Sequence, residues 1–315
     1  MTAPARRVWA ALLVVYLVWG STYLAIKVAV ETLPPLLSAG GRFGAAALLL
    51  ASALALRGRS LAAGWTELRG AAVTGGLLLA LGVGAVHVAE TRIESSVAAM
   101  IVGTVPLQVI LMRIAAGENP ARTTRLSALA GLAGLALVVA PGLGSGSTAL
   151  GLAVMVGATV SWATGSFLSR SLPLPRDPFV AVVYEMAFGG AFLLAASLAA
   201  GEWGGLGREA LAADSIAAWA YLVVAGSLVG FTAYAWLLRV APISLVVTHQ
   251  FVNPLVAIAL GMLLLGERPS PLALAGALLI VAAVYATVRR ESPGSPARRA
   301  AAPRCPGAGQ AADAA

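Results

Sequence analysis

The chain has 315 residues, of which 59% are hydrophobic and only 11% are charged. A soluble domain carries about 25% charged residues, so this composition excludes a protein whose whole surface faces water. The formal net charge of +8 raises nucleic acid as a partner, and the placement of the charges, described below, argues against it. The single cysteine, Cys305, excludes an internal disulfide and a cysteine-based metal cluster. No sequence motif predicts a metal site or a cofactor.

Long apolar runs predict an all-α integral membrane protein with ten transmembrane helices. Each run approaches or exceeds the roughly 20 residues that cross a bilayer. The predicted helices are 8–28, 35–56, 71–89, 95–113, 124–140, 149–169, 178–200, 215–238, 243–265 and 270–288. Residues 291–315 are rich in Pro, Ala, Gly and Arg, a composition that cannot bury a core and that predicts a disordered cytoplasmic tail.

The basic residues are distributed unequally between the two sides of this predicted bundle. If the amino terminus is cytoplasmic, sixteen of the 21 lysine and arginine residues fall on the cytoplasmic side and four on the opposite side. Only Arg42 falls inside a span. This asymmetry is the positive-inside pattern. It predicts a multi-pass protein of the cytoplasmic (inner) membrane with both termini inside, a lipid bilayer as partner, and no nucleic acid.

The chain contains two copies of one unit, at residues 8–140 and 149–288. Trp19-Gly20-Ser21-Thr22-Tyr23 is answered by a second tryptophan, Trp162, which is again followed by small residues, hydroxyl residues and an aromatic residue. The same alignment pairs Pro35 with Pro178. Because each unit has five spans, the second unit must enter the membrane from the opposite side. Inverted repeats of this kind recur in secondary transporters, whose substrate sites lie near the midplane.

These features resemble the EamA-type branch of the drug/metabolite transporter superfamily. The residues that carry the resemblance are Trp19–Tyr23, Pro35, Arg42-Phe43, Pro106, Gly117-Glu118 and Gly266-Glu267-Arg268-Pro269. The resemblance covers about residues 9–288 and implies an inner-membrane exporter of metabolites or drugs, a kind of protein that is often proton-coupled. The second unit departs from the first at one position, where Glu185 corresponds to Arg42.

Several repeat-related residues are predicted to meet at one depth. Counting 1.5 Å per helical residue puts Trp19, Trp162, Pro106 and Asn253-Pro254 about 15–20 Å into the roughly 30 Å hydrocarbon core. Pro106 and Pro254 are predicted kinks, because a proline inside a helix leaves a backbone carbonyl without its donor. Such a carbonyl either lines a wet cavity or is buried in protein, and the sequence leaves both readings open.

Polar and aromatic residues at this depth are the candidates for binding a substrate. His249 and Asn253 share a helical face, with Gln250 beside them, and the histidine can exchange protons near neutral pH. Hydrogen bonding across the bundle and simple aromatic packing are the structural alternatives. His87 is interpreted as a boundary residue. The candidate substrate-binding residues are Trp19, Thr22, Tyr23, Arg42, Gln108, Trp162, Tyr184, His249, Gln250 and Asn253.

Arg42 and Glu185 are the charged residues most plainly inside spans, and such groups are functional candidates by default. Each lies about 10 Å deep, but from opposite sides, so a direct salt bridge between them is not expected. We expect Glu185 to take up a proton and Arg42 to attract an anionic group. The alternatives are snorkelling of Arg42 to the headgroups and a structural hydrogen bond of Glu185.

The sequence therefore predicts a proton-coupled exporter of a small molecule, of the amino-acid or amine class, that works by alternating access. A facilitative carrier or exchanger on the same fold is the alternative. An integral-membrane transferase is a remote one, because such enzymes need clustered acidic or histidine side chains and this chain has two histidines and scattered acids. No enzyme activity, cofactor or metal is expected, and a homodimer is left open.

Overall fold

The structure is a computed structural model that describes residues 5–93, 98, 101–139, 148–205, 207, 212–265 and 270–291. Within these residues every regular element is a helix and no strand occurs. Gly266–Pro269 and residues 292–315 of the predicted tail lie outside the described residues. The all-helical prediction is thus confirmed for the described part of the chain.

The helices follow the predicted order along the chain. They are α1 (Ala5–Val30), α2 (Pro35–Leu56), α3 (Trp65–Glu90), α4 (Val105–Ala115), α5 (Arg122–Val139), α6 (Ala149–Leu168), α7 (Pro178–Ala199), α8 (Ala213–Val240), α9 (Ile243–Val246 and His249–Leu265) and α10 (Pro271–Glu291). Among the described residues, α1, α2, α3, α6, α7, α8 and α10 are long and apolar enough to cross a membrane. Their orientation in the membrane stays a prediction.

Prolines set the start of three of these helices. Pro35, Pro178 and Pro271 each occupy the first helical position, where the missing amide hydrogen costs nothing and the fixed φ suits a helix. The Asp177 carboxylate caps α7 by accepting from the Phe179 amide at 3.0 Å. These local signals explain why the predicted starts of α2 and α7 agree with the structure.

Two predicted boundaries are wrong for physical reasons. Helix α3 starts at Trp65 rather than at residue 71. The charged residues of this segment favoured a loop in the prediction. In the structure the Glu67 side chain accepts a hydrogen bond from the Gly64 amide at 2.8 Å and caps the helix. Predicted helix 95–113 has a turn at residues 103–104, before α4. Pro106 therefore lies in the first turn of α4 rather than inside a continuous helix.

Helix α9 is interrupted before its proline rather than at it. Val247 and Thr248 form a turn between the two α9 segments, and Pro254 lies inside the second segment. The Thr248 hydroxyl donates to the Leu245 carbonyl at 2.6 Å and is also hydrogen-bonded to the Tyr16 hydroxyl at 2.6 Å. These bonds stabilise the turn, so the interruption depends on a tertiary contact that the proline pattern does not contain.

Two long π-helical stretches are the main local feature that the sequence did not predict. One runs over Gly76–Gly84 in the middle of α3, and the other over Leu222–Phe231 in the middle of α8. Helices α3 and α8 are the third helices of the two repeats, so both halves carry the irregularity in the same element. π-Helical turns are rare and occur mostly at functional sites.

The helices pair in the same way in both halves. Helix α1 packs against α8 and α9 of the second half, while α6 packs against α3 and α4 of the first half. Helices α2 and α7 pack together, as do α5 and α10. A Cβ atom at Gly190 would lie 2.9 Å from the Gly44 nitrogen and 3.1 Å from the Gly40 carbonyl oxygen, so the α2 and α7 backbones touch there. The two halves therefore interlock across one central region.

Candidate functional site

A central cavity lies between the two halves and collects most of the sequence candidates. Helices α1, α2, α3, α4, α6, α8 and α9 all contribute to its wall. Its polar and aromatic lining consists of Trp19, Thr22, Arg42, Phe43, Thr159, Trp162, Phe231, His249, Gln250 and Asn253. Seven of the ten predicted substrate-binding residues are in this lining, and they come from both repeats.

Four rings form a layer at the base of this cavity, which we call the aromatic layer (Trp19, Trp162, Tyr234 and His249). The Trp19 and Trp162 ring centroids are 5.4 Å apart and nearly perpendicular, at 73°. Tyr234 lies 4.9 Å from Trp19 and 5.1 Å from Trp162, and His249 lies 5.0 Å from Trp19. Edge-to-face pairs at these distances stabilise the cluster beyond their burial. The repeated tryptophans thus meet each other at the interface of the two halves.

The α8 π-helical stretch positions Trp19. The Trp19 Nε1 donates to the Gly226 carbonyl at 3.1 Å, a carbonyl inside the π-helical run. A Cβ atom at Gly230 would lie only 2.5 Å from the same Nε1. The ring therefore fits against α8 only because residue 230 has no side chain.

Replacing Gly230 by alanine is expected to displace the Trp19 ring and to lower stability by about 1–3 kcal/mol, the usual cost of overpacking. The matched control is Gly157→Ala on α6, where an added Cβ would meet nothing within 4 Å and where alanine should be neutral or stabilise the helix by up to about 1 kcal/mol. Unfolding of both variants in detergent gives the comparison. Equal or higher stability of Gly230→Ala would contradict the close fit.

Trp162 occupies the corresponding position against α3, with one difference. A Cβ atom at Gly82 would lie 3.1 Å from the Trp162 ring, and the neighbouring Ser161 hydroxyl donates to the Leu77 carbonyl at 2.8 Å. Both contacts fall within the α3 π-helical stretch. Unlike that of Trp19, the Trp162 Nε1 does not donate to a backbone carbonyl of the described residues, and the Trp162 side chain interacts with the Tyr234 hydroxyl instead.

Arg42 brings the positive charge of the cavity wall. The residue is only 4% exposed, and its Nε donates to the Ser227 hydroxyl of α8 at 3.1 Å. The guanidinium carbon lies 4.7 Å from the centroid of the Phe43 ring, a cation–π contact. Its Nη1 atom is buried without a partner in the described part of the chain. An Arg that snorkels to the headgroups would be exposed at its tip, so the structure does not favour that alternative.

The second segment of α9 supplies the polar side of the cavity. The His249 Nδ1 lies 2.9 Å from the Val246 carbonyl, and a carbonyl only accepts, so Nδ1 carries the hydrogen and Nε2 of the neutral ring is an acceptor. This Nε2, the Gln250 Oε1 and the Asn253 Oδ1 all lack partners among the described residues. Buried polar atoms are normally paired, so three unpaired atoms in one wall indicate a place where a ligand or water binds.

Two predicted residues lie outside the cavity. The Glu185 Oε1 accepts from the Thr74 hydroxyl of α3 at 2.9 Å, and its Oε2 is buried without a partner among the described residues. The Tyr184 hydroxyl donates to the Leu61 carbonyl at 2.7 Å in the segment before α3, so Tyr184 does not face the cavity. Arg42 and Glu185 thus bond to different hydroxyl groups, in agreement with the expectation that they do not pair.

The remaining candidates are distributed as follows. Gln108 lies behind the lining, where its Nε2 donates to the Thr104 hydroxyl at 2.8 Å and to the Thr159 hydroxyl at 3.2 Å. Pro106 borders a second, smaller cavity next to α9. The side chain of Tyr23 lies outside the described residues. Gln108 therefore contacts the lining of the cavity through Thr159. Thr159 was not among the predicted residues.

Sequence reasoning also missed Tyr234, the fourth member of the aromatic layer. Its hydroxyl is hydrogen-bonded to the Ser166 hydroxyl at 2.6 Å, and the residue is fully buried. Ser166 belongs to the stretch that follows Trp162, so the repeated motif contained the partner but not the tyrosine. A tyrosine in the apolar run of α8 was the available signal, since a phenol buried there needs a partner.

The end of the bundle beyond the aromatic layer is closed by contacts between the two halves. The Tyr16 hydroxyl bonds to that of Thr248, and the Arg113 side chain donates to the Ser244 hydroxyl. The Glu118 carboxylate accepts from the Arg113 Nε at 2.7 Å and lies 3.9 Å from the Arg170 Nη1. Arg59 forms an ion pair with Asp177. The lining of the cavity continues in the other direction, past Thr22 to Ile26 on α1 and past Gly82 to Val86 on α3.

Comparison with known proteins places both halves of the chain in the same family. The sequence model of the EamA-like transporter family matches residues 7–140 and 149–289. The inner membrane transporter YedA of Escherichia coli (strain K12) is 36% identical over 283 residues, 88% of this chain and 90% of its own. A WAT1-related chloroplastic protein of Arabidopsis thaliana is 26% identical over 285 residues, 88% of this chain and 68% of its own. A solved structure with 19% identity has a TM-score of 0.71, covers 93% of this chain and 98% of its own, and shows a shared fold.

Proposed function

The chain belongs to the EamA-like transporter family, and from this premise we propose that it is a secondary active exporter of small amino-acid-like molecules that works by proton-coupled alternating access. It is a multi-pass transporter of the inner membrane, as its relatives and its long apolar helices agree. Family membership also favours a transporter over an enzyme, and the described residues contain no cluster of three His, Cys, Asp or Glu that could hold a metal ion.

The lining of the cavity supports the amino-acid class over the amine class. Among the described residues of that lining, Arg42 is the only charged one, and its Nη1 has no partner in the same part of the chain. A guanidinium group binds a carboxylate through charge-assisted hydrogen bonds, whereas an amine next to it is repelled. The aromatic layer and the apolar walls would hold the side chain of the substrate, and the acceptor atoms on α9 would take its ammonium group. The Arg42 Nη1, buried without a partner among the described residues, is the observation that carries the assignment.

The extension of the cavity toward one end of the bundle supports alternating access. If the amino terminus is cytoplasmic, the end with Tyr16 and Glu118 faces the cytoplasm and the cavity extends outward to Ile26. The structure would then correspond to a state turned toward the outside. Rocking of the two inverted repeats about the aromatic layer would open the other side. The contacts that would have to break lie between the halves, such as those of Glu118 with Arg170 and of Arg59 with Asp177.

Glu185 is proposed as the proton-coupling residue on the cytoplasmic side of the cavity. Burying an ionised carboxylate costs several kcal/mol, and Arg239 of α8 offsets part of this cost for Glu185 through its charge, so the charge state of Glu185 affects how α7 packs on α3 and α8. Oε2 lacks a partner in the described chain, which leaves one carboxylate oxygen available for a proton. The hydrogen bond from Thr74 also fits a purely structural role, and only transport measurements separate the two.

A transport assay in everted membrane vesicles tests the proposed function. Vesicles with the wild-type protein should accumulate an amino acid only when the vesicle interior is more acidic than the medium, and an uncoupler should abolish accumulation. A thermal-shift screen of the purified protein against amino acids, the matching amines, nucleosides and cationic drugs selects the substrate. Transport that equilibrates but never concentrates the substrate would instead support the alternative, a facilitative carrier or exchanger. A homodimer remains an untested prediction.

A further inference from the structure

The outer part of α3 contains a second buried acid that the proposed mechanism does not yet use. Glu90 is the last residue of α3, and both of its carboxyl oxygens are buried without a hydrogen-bond partner among the described residues. Its position is four residues beyond Val86, which lines the cavity. Because residues four apart share a helical face, Glu90 stands just above the cavity wall on the side away from the aromatic layer.

His87 lies between Glu90 and the cavity. It is fully buried, and its Nδ1 lies 2.9 Å from the Val83 carbonyl, so Nδ1 carries the hydrogen and Nε2 of the neutral ring is a bare acceptor. This Nε2 has no partner in the described part of the chain. His87 is three residues from Glu90, within reach on the same face of the helix. The earlier interpretation as a boundary residue that faces headgroups does not fit complete burial.

The charged groups around this pair come from two neighbouring helices. Lys27 of α1 acts electrostatically on Glu90, and Arg42 of α2 acts on His87. Helix α6 also packs against this end of α3 and contains no titratable side chain. Arg92, just after α3, is exposed. The site is therefore an acid and a histidine between two cations, one of which is the substrate-binding candidate.

We propose that Glu90 and His87 form a second proton-binding site at the outer end of the cavity. The Glu90 carboxylate binds a proton from hydronium of the outer aqueous phase, which leaves water, and returns it to water on release; the His87 Nε2 is a second acceptor for the same proton. The role in coupling rests on the proposed function, because Glu185 and Glu90 then hold the transported proton on opposite sides of the cavity. Helix α3 connects the two sites, since Thr74 bonds to Glu185 and Glu90 ends the same helix. A metal ion is not proposed, because the described residues contain no group of three or more possible ligand side chains.

Infrared difference spectroscopy on the full-length protein in lipid vesicles tests the site without a substrate. Between acidic and alkaline buffer, the wild type should show carboxylic-acid C=O bands from buried groups. Glu90→Gln should remove one component, and Glu185→Gln should remove another. His87→Gln should shift the Glu90 component and leave the Glu185 component in place. Glu31→Gln, which changes an exposed acid in the turn after α1, is the control and should leave both components unchanged.

A Glu90→Gln spectrum identical to that of the wild type would overturn the proposal. An unshifted Glu90 band in His87→Gln would remove His87 from the site. Glu90→Asp should retain an acid band, which guards against a variant that has merely misfolded, and circular dichroism verifies the helix content of each. Transport in everted vesicles separates this result from the proposed function, since a Glu90 band in a protein without proton-driven transport would leave the site intact and refute the coupling.

Discussion

Replacing Arg42 by glutamine is expected to weaken the binding of a carboxylate substrate by about 10–100-fold, because hydrogen bonds to a charged group contribute about 1.5–3 kcal/mol. Within the part of the chain that the structure describes, the buried guanidinium is the only charged group in the cavity lining, and its Nη1 has no partner. The measurement is the dissociation constant of an amino acid from the thermal-shift screen, such as phenylalanine, against the amine that lacks only its carboxyl group. The variant should lose affinity for the acid and not for the amine.

Arg42→Lys is the matched control for charge. Lysine keeps the positive charge but not the planar set of donors, so it should retain part of the affinity and lose the bond from Nε to Ser227. Equal losses for the amino acid and the amine in Arg42→Gln would mean that the residue supports the cavity instead of binding the carboxylate.

Replacing Glu185 by glutamine is expected to abolish gradient-driven accumulation while leaving substrate exchange across the membrane. Glutamine keeps the shape and can still accept the hydrogen bond that Thr74 donates to Glu185, but it cannot change its charge. The assay compares accumulation with an acid-inside gradient and counterflow without one, both in everted vesicles. Glu31→Gln again serves as the control at an exposed acid. Undiminished gradient-driven transport by Glu185→Gln would remove Glu185 from the mechanism.

The large features of the fold were predictable because they depend on length and hydropathy. The prediction of ten helices in two units followed from apolar runs of membrane-spanning length, from Pro35 and Pro178 at helix starts, and from the repeated tryptophan motif. The family resemblance followed from the same features, and the comparisons confirm the family. Counting residues from the helix ends also gave Trp19 and Trp162 the same depth, and their rings are in contact in the structure. Inversion of the repeats and orientation in the membrane stay predictions.

Depth could be counted from the sequence, but the direction of a side chain around its helix could not. Tyr184 and Glu185 lie well inside a predicted span, yet the rotation of α7 turns Tyr184 toward Leu61 and Glu185 toward Thr74. The π-helical stretches change the direction of side chains around α3 and α8 in the same way. The apolar sequence of these stretches contains no signal that predicts them. For that reason Tyr234 and Gly230 were missed, although their contacts determine where Trp19 lies.

Accessibility of residue 22 to a membrane-impermeant maleimide tests the central claim, that this cavity opens alternately to the two sides. Thr22 lines the cavity on the side of Trp19 that is predicted to face outward, and cysteine is close to threonine in size, so Thr22→Cys in a Cys305→Ser background introduces a single thiol. We expect rapid labelling of intact cells from the outside, slow labelling of everted vesicles, and protection of the thiol by bound substrate. Labelling that is faster in everted vesicles, or that bound substrate leaves unchanged, would contradict it.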